Sequence, residues 1–236
     1  MRFLVPVAVA ALAACGAPSS GNKQPIDTKA PEFEGGGQDG TDVGEDVYPG
    51  PYGVGIGSVV KNYTFYGFPR WEDGPTEMVK MSLADLYNPT GHEVFPEGSP
   101  FGAGLPKPKA LMLDRSAVWC EPCNFEARVT LPSAHARYEP MGGEFILLLG
   151  EGPTGGEPAT QTDLERWATK YDLDYPAAID PNGTISEVVG KDAWPGNVIV
   201  RTKDMKIIEW TAGGPDAAFW DLFEKVLDDQ PVLDGD

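Results

Sequence analysis

The chain has 236 residues, room for one domain with extensions or at most two small ones. Hydrophobic residues make up 41% of it, enough for one core, while a formal charge of −18 repels nucleic acid and anionic lipid headgroups and excludes nucleic-acid binding. Cys15, Cys120 and Cys123 are its only cysteines, too few for a small fold stapled by disulfides.

Residues 1–15 form a leader. Arg2 is its positive end, and Phe3 to Ala14 is an apolar run too short for a bilayer-spanning helix, which needs about 20 residues. It fits the core of a secretory signal. Leu12-Ala13-Ala14-Cys15 resembles the bacterial lipobox, which implies removal of residues 1–14 and acylation of Cys15. Several acyl chains, each burying roughly 0.8 kcal/mol per CH₂, would anchor the chain to a membrane. Cys120 and Cys123 then remain, to pair with each other or with a substrate. Residues 15–51, rich in Gly, Pro and acids, lack periodicity and read as a flexible tether.

A folded domain is expected over 52–230, with a tail at 231–236. Ser58 to Phe65 has strand-like β-branched and aromatic content. Met81 to Tyr87 reads as a short strand or turn and one helical turn. The Pro/Gly-rich stretch 88–108 is a long loop, expected to overhang the site. Ala110-Leu111-Met112-Leu113-Asp114 reads as a buried central strand, Asn124 to Tyr138 as a helix and Glu144 to Leu149 as a second core strand. A helix over Thr162–Tyr171 has Thr162 and Glu165 as its expected capping box. Tyr175–Ile179, Val198–Val200 and Ile207–Trp210 read as strands, and Asp216–Asp228 as a closing amphipathic helix. Apolar runs alternating with helices predict an α/β domain around a central sheet.

Val118-Trp119-Cys120-Glu121-Pro122-Cys123 follows the central strand and opens a helix. A lone C-x-x-C is also half a zinc site, but no second one exists and the two histidines, His92 and His135, stand at no standard spacing. Redox chemistry suits the context better. The attacking species is a thiolate, and a helix N-terminus lowers the pKa of the first cysteine through its free N–H groups and dipole. Cys120 would attack a disulfide and Cys123 would resolve the mixed disulfide. Glu121 beside Cys120 disfavours the thiolate and so favours a reducing couple.

With these residues the sequence resembles the thioredoxin superfamily, and within it the membrane-anchored, thioredoxin-like reductases of the cell envelope and related redoxin domains. The resemblance covers roughly residues 54–228 and centres on Trp119-Cys120-x-Pro122-Cys123. It implies a thioredoxin-like fold, a central mixed sheet flanked by helices, with an extra helix–strand unit over 162–179 between the active-site helix and a cis-proline. Glu126 matches the acid that envelope reductases carry three positions after the second cysteine, and Asp114 the buried acid that assists proton transfer to it. Pro195 stands where the family's cis-proline faces the disulfide. The implied function is thiol–disulfide exchange on protein substrates in the cell envelope, with an upstream thiol protein as electron donor or acceptor and no cofactor beyond the Cys120–Cys123 pair.

The chain departs from the pattern at three places. Trp194 precedes Pro195 where a smaller residue is usual, Arg115-Ser116 replaces apolar residues, and Arg128 stands where the family places a helix proline, with Pro132 expected to kink the helix later. Three other function classes compete: a peroxiredoxin-like peroxidase using Arg115 and Ser116, a metal-handling module, and a binding domain with an inert disulfide.

Overall fold

The computed structural model describes residues 48–71 and 77–230. The expected leader 1–14, Cys15, the tether up to residue 47 and the tail 231–236 lie outside them. Tyr48, ahead of the expected domain start, already donates its hydroxyl to Val60 O, meets Tyr87 edge to face and lies tilted against Tyr52.

Seven strands form one sheet in the order β2-β1-β5-β4-β3-β6-β7. β3 (Ala110–Ala117) lies near its middle, every residue buried, parallel to β4 (Gly143–Glu151) and antiparallel to β6 (Gly196–Arg201). A strand covered on both faces needs the near-continuous apolar run that Ala110–Leu113 supplies. β5 (Ala177–Ile179) pairs parallel to β4, while the hairpin of β1 (Thr64–Phe68) and β2 (Val79–Ser82) closes one edge and β7 (Lys206–Ala212) the other.

α1 (Glu121–Phe125), a π-helical stretch at Glu126–Thr130 and α2 (Leu131–Tyr138) follow β3 without a break. Proline in a helix removes a donor and crowds the carbonyl four residues back. Here the widened turn stands just ahead of Pro132 and relieves that clash, which is how the expected irregularity is realised. α2, α3 (Gln161–Tyr171) and α5 (Ala217–Leu227) pack on the same sheet face as the two cysteines, through Leu131, Tyr138, Leu164, Trp167, Phe219 and Phe223. The opposite face carries α4 (Ser186–Val189) and the 88–108 loop.

Three expectations are corrected. The first strand lies at 64–68, because Ser58–Val60 meets β7 at an isolated Val59–Lys206 bridge, made by the Val60 N–H bond to Met205 O and the Ile207 N–H bond to Ser58 O, after which the chain turns at Lys61–Tyr63. The capping box of α3 is Thr160 with Asp163: Asp163 N–H donates to Thr160 Oγ1 (3.2 Å) and Thr160 N–H to Asp163 Oδ2 (3.0 Å). Ala159, buried and bonded to Gly150 O, sets the helix start two residues early. The 88–108 loop does not overhang the cysteines. Phe95 and Phe101 stack at 5.2 Å and pack on the far face with Leu111 and Val198, and buried Asn88 ties the loop to Lys107 O and Pro108 O.

β1 reaches the sheet through a close approach at Gly67. A Cβ there would lie 2.1 Å from Ala177 O and 2.5 Å from Ala178 Cα. Gly67→Ala is therefore expected to lower stability by about 1–3 kcal/mol, the usual cost of overpacking, seen as a reduced urea midpoint with unchanged slope.

Candidate active site

β3 delivers the chain to the site. Its last residues place Asp114 and Ser116 on the cysteine face and Arg115 on the other, by the two-residue alternation of a strand. The segment Val118–Cys120 then turns into α1, whose N-cap is Cys120. Cys120 and Cys123 are disulfide-bonded, and Cys120 Sγ accepts the Cys123 N–H at 3.1 Å. A donor already aimed at that sulfur, at the positive end of a helix, favours a negative charge there once the bond is reduced. Both sulfurs are deeply recessed, Cys120 with 1% of its surface exposed.

Asn124, the residue after the pair, holds the loop in shape. Its Nδ2 donates to Val118 O (3.0 Å) and Cys120 O (2.7 Å), and its Oδ1 accepts from Lys170 Nζ (3.0 Å) and from the Tyr171 hydroxyl. The helix of the inserted unit is thereby bonded to the disulfide loop.

Beneath the disulfide lies a buried polar cluster. Glu126 shares a helix face with Cys123 at three-residue spacing, and Asp114 stands directly across the ladder from Asn197 of β6. The Ser116 hydroxyl donates to the Asp114 carboxylate (3.0 Å), and Asn197 Nδ2 donates to Glu126 Oε1 (3.0 Å) and to Gly213 O (3.2 Å). Burial drives the Asp114 carboxyl up to about 7 against the Ser116 hydrogen bond. Burial and then the neighbouring Asp114 charge drive Glu126 up to about 9 against the Asn197 bond. Two carboxyls in one apolar pocket resist carrying two charges. Glu126 Oε2, Asn197 Oδ1 and the Tyr175 hydroxyl have no hydrogen-bond partner among the described residues.

Two indoles meet at the loop that carries the disulfide. Trp119 is 43% exposed, and its Nε1–H donates to Glu151 Oε2 at 2.7 Å, an oxygen that also accepts the Gly156 N–H (2.8 Å). Its ring meets Trp194 edge to face at 5.9 Å. The Trp194–Pro195 peptide is cis. Pro122 lies exposed in the first turn of α1.

The structure thus brings Asp114, Trp119, Cys120, Pro122, Cys123 and Glu126 into one region with the cis-Pro195 segment. Sequence reasoning missed Asn197, Asn124 and Glu151. Asn197 carried a signal, a lone amide inside the apolar run Gly196–Val200; the other two gave none. The residues weighed for peroxidase chemistry are engaged elsewhere, Ser116 with Asp114 and Arg115 with backbone carbonyls. His135 is buried between Glu144 (3.2 Å) and Asp174 (3.1 Å). Among the described residues no group of three or more His, Cys, Asp or Glu could hold a metal ion, and no helix is long and apolar enough to cross a membrane.

A secreted thiol-disulfide isomerase from Corynebacterium glutamicum superposes with a TM-score of 0.52 and 15% identity, over 72% of this chain and 86% of that one. The fold is thioredoxin-like. An uncharacterized conserved protein from Geobacillus kaustophilus shares this fold at a TM-score of 0.53 and 11% identity, over 77% of this chain and 87% of that one. In sequence, the chain is 29% identical over 109 residues to the thiol-disulfide oxidoreductase ResA of Bacillus thuringiensis subsp. konkukian, covering 45% of this chain and 57% of that protein. It is 25% identical over 93 residues to ResA of Oceanobacillus iheyensis, covering 39% of this chain and 44% of that protein. The chain therefore matches only about half the length of these curated relatives. No protein-family model matches it. In this thioredoxin-like fold the inserted α3–β5 unit lies between the active-site helix and the cis-proline, as the resemblance implied.

Proposed function

We propose that the chain is a thiol-disulfide oxidoreductase of the cell envelope that reduces or exchanges protein disulfides through Cys120 and Cys123. The observation that carries this reading is a disulfide at a helix N-cap, with a backbone N–H on Cys120 Sγ and two buried carboxyls of raised pKa behind Cys123. ResA likeness across the matched segment supports it.

In the reduced form the Cys120 thiolate attacks one sulfur of a substrate disulfide. A mixed disulfide forms and one substrate thiolate leaves. Cys123 gives up its proton to the carboxyl cluster and attacks Cys120 Sγ, releasing the second substrate thiolate. The substrate gains two electrons and the pair becomes the disulfide. Asp114 and Glu126 hold or take the proton, Asn197 orients Glu126, and Pro195, Trp119 and Pro122 shape the surface where the substrate lies. An upstream thiol protein returns the electrons. No cofactor is assigned. The leader and a lipid on Cys15 would keep the domain outside the cytoplasm and tied to a membrane.

Equilibration of the Cys120–Cys123 pair with glutathione or dithiothreitol tests this. With Glu121 adjoining Cys120, the expected potential lies near the thioredoxin value of about −270 mV and far from the about −120 mV of a strong oxidant. A pair that does not exchange at all overturns the assignment.

A further inference from the structure

Arg115 stands at a position where the sequence departs from the family, and it is 95% buried by its 5% residual exposure. Among the described residues no carboxylate lies within ion-pair distance of it, although Asp180, Glu151 and Asp192 act on it from farther off. Its Nη1 instead donates to three backbone carbonyls, Gly190 (3.4 Å), Lys191 (3.1 Å) and Ala193 (2.8 Å). Its guanidinium carbon lies 3.4 Å from the ring centroid of Trp194. All four contacts belong to the short segment that leads into Pro195.

A buried guanidinium loses much hydration, so this one acts as a rigid fixture. Three accepted hydrogen bonds set the path of 190–193, and the stack sets the plane of the indole. Trp194 is limited on another side by Gly150, where a Cβ would come within 3.0 Å of its Cη2. Trp119, which it meets edge to face, is itself held by Glu151. The two departures, Arg115 and Trp194, therefore form one unit. Lysine could not replace Arg115, because it lacks the planar face that stacks on the indole.

We propose that Arg115 is a positioning residue that fixes Trp194, making the Trp119–Trp194 wall a subsite for an aromatic side chain next to the cysteine of a peptide disulfide. This rests on the exchange function proposed above. An aromatic residue can lie against two fixed indoles in offset or edge-to-face contact, whereas glycine offers no such contact.

The test uses the full chain, reduced with dithiothreitol and desalted, and two peptides that each carry one disulfide and have either Phe or Gly beside the cysteine. The wild type is expected to react with the Phe peptide about three to ten times faster. Arg115→Met and Trp194→Val bring that ratio towards one, and Arg115→Lys does not restore it. In both variants the rate with the Phe peptide falls more than the rate with the Gly peptide, whereas general damage to the fold would slow both alike. Trp194→Val leaves the buried charge in place, so it reads the wall even where Arg115→Met folds poorly. Equal wild-type rates, or a preference that survives both substitutions, overturns the inference alone. A wild type that reacts with neither peptide nor glutathione overturns the exchange function and the inference with it.

Discussion

A Cys123→Ser chain, reduced and offered a peptide disulfide, is expected to form one covalent adduct through Cys120 and to go no further. Cys120 sits at the N-cap with the residue-123 N–H on its sulfur, a backbone contact that the substitution leaves in place. The first attack therefore survives. The second needs a thiol at 123 within bonding reach of Cys120, the relation that the disulfide records. Serine is a far poorer nucleophile toward sulfur, and turnover falls to the rate of the uncatalysed exchange. Intact mass under non-reducing conditions shows the adduct, and a reductant added afterwards releases it. Cys120→Ser forms none. Sustained turnover by Cys123→Ser, or an adduct on Cys123 in the Cys120→Ser chain, would contradict the order of attack.

The second large effect is on stability against pH. Asp114 and Glu126 hold their protons in the folded chain up to about 7 and about 9, above the ordinary carboxylate values of 3.8 and 4.5. Between each ordinary value and each raised one, the unfolded chain has released a proton that the native chain keeps. The native state then binds more protons, so stability falls as pH rises through that window and levels off above it. Each unit of such a shift is worth about 1.4 kcal/mol. Asp114→Asn and Glu126→Gln are neutral at every pH and escape the penalty. Relative to wild type they should gain at least about 1.4 kcal/mol more at pH 9 than at pH 5, a difference of roughly 3–6 °C in Tm for a domain of this size. Thermal melts of the oxidised proteins at the two pH values check it. A gain that is larger at pH 5 would reverse the sign and place charged carboxylates in the native pocket.

What could be read from the sequence was local. Ala110–Leu113 is apolar without alternation, and a strand covered on both faces follows from that. Asp216 at a helix start and the spacing of Phe219, Phe223 and Leu227 yield α5. Trp119 to Cys123, set between a strand and a helix, located the site. The misplaced elements were decided by distant partners. Val59 and Val60 have strand character, yet the edge of β7 offers them a single bridge. Thr162–Glu165 matches the capping-box pattern in sequence, yet the helix uses Thr160–Asp163, next to the bond from Ala159 to Gly150 O. The same holds in the site. Asp114 and Glu126 are legible as acids near cysteines, but their shared pocket depends on Asn197, 71 positions beyond Glu126 in the chain. The polar Arg115 looked like a flaw at a strand end because its carbonyl acceptors lie 75 to 78 positions away.

The sheet order bears on how this architecture can be shortened or recombined. β5 belongs to the inserted unit, yet it stands between β4 and β1, so the N-terminal hairpin joins the remaining strands only through it. Cutting out residues 161–179 to reach a minimal thioredoxin core would cast off β1 and β2 as well, and would strip Asn124 of both donors that reach it from α3. Two polypeptide segments far apart in sequence thus stand or fall together. A graft of this active site onto another scaffold has to carry the insertion and the hairpin as one cassette.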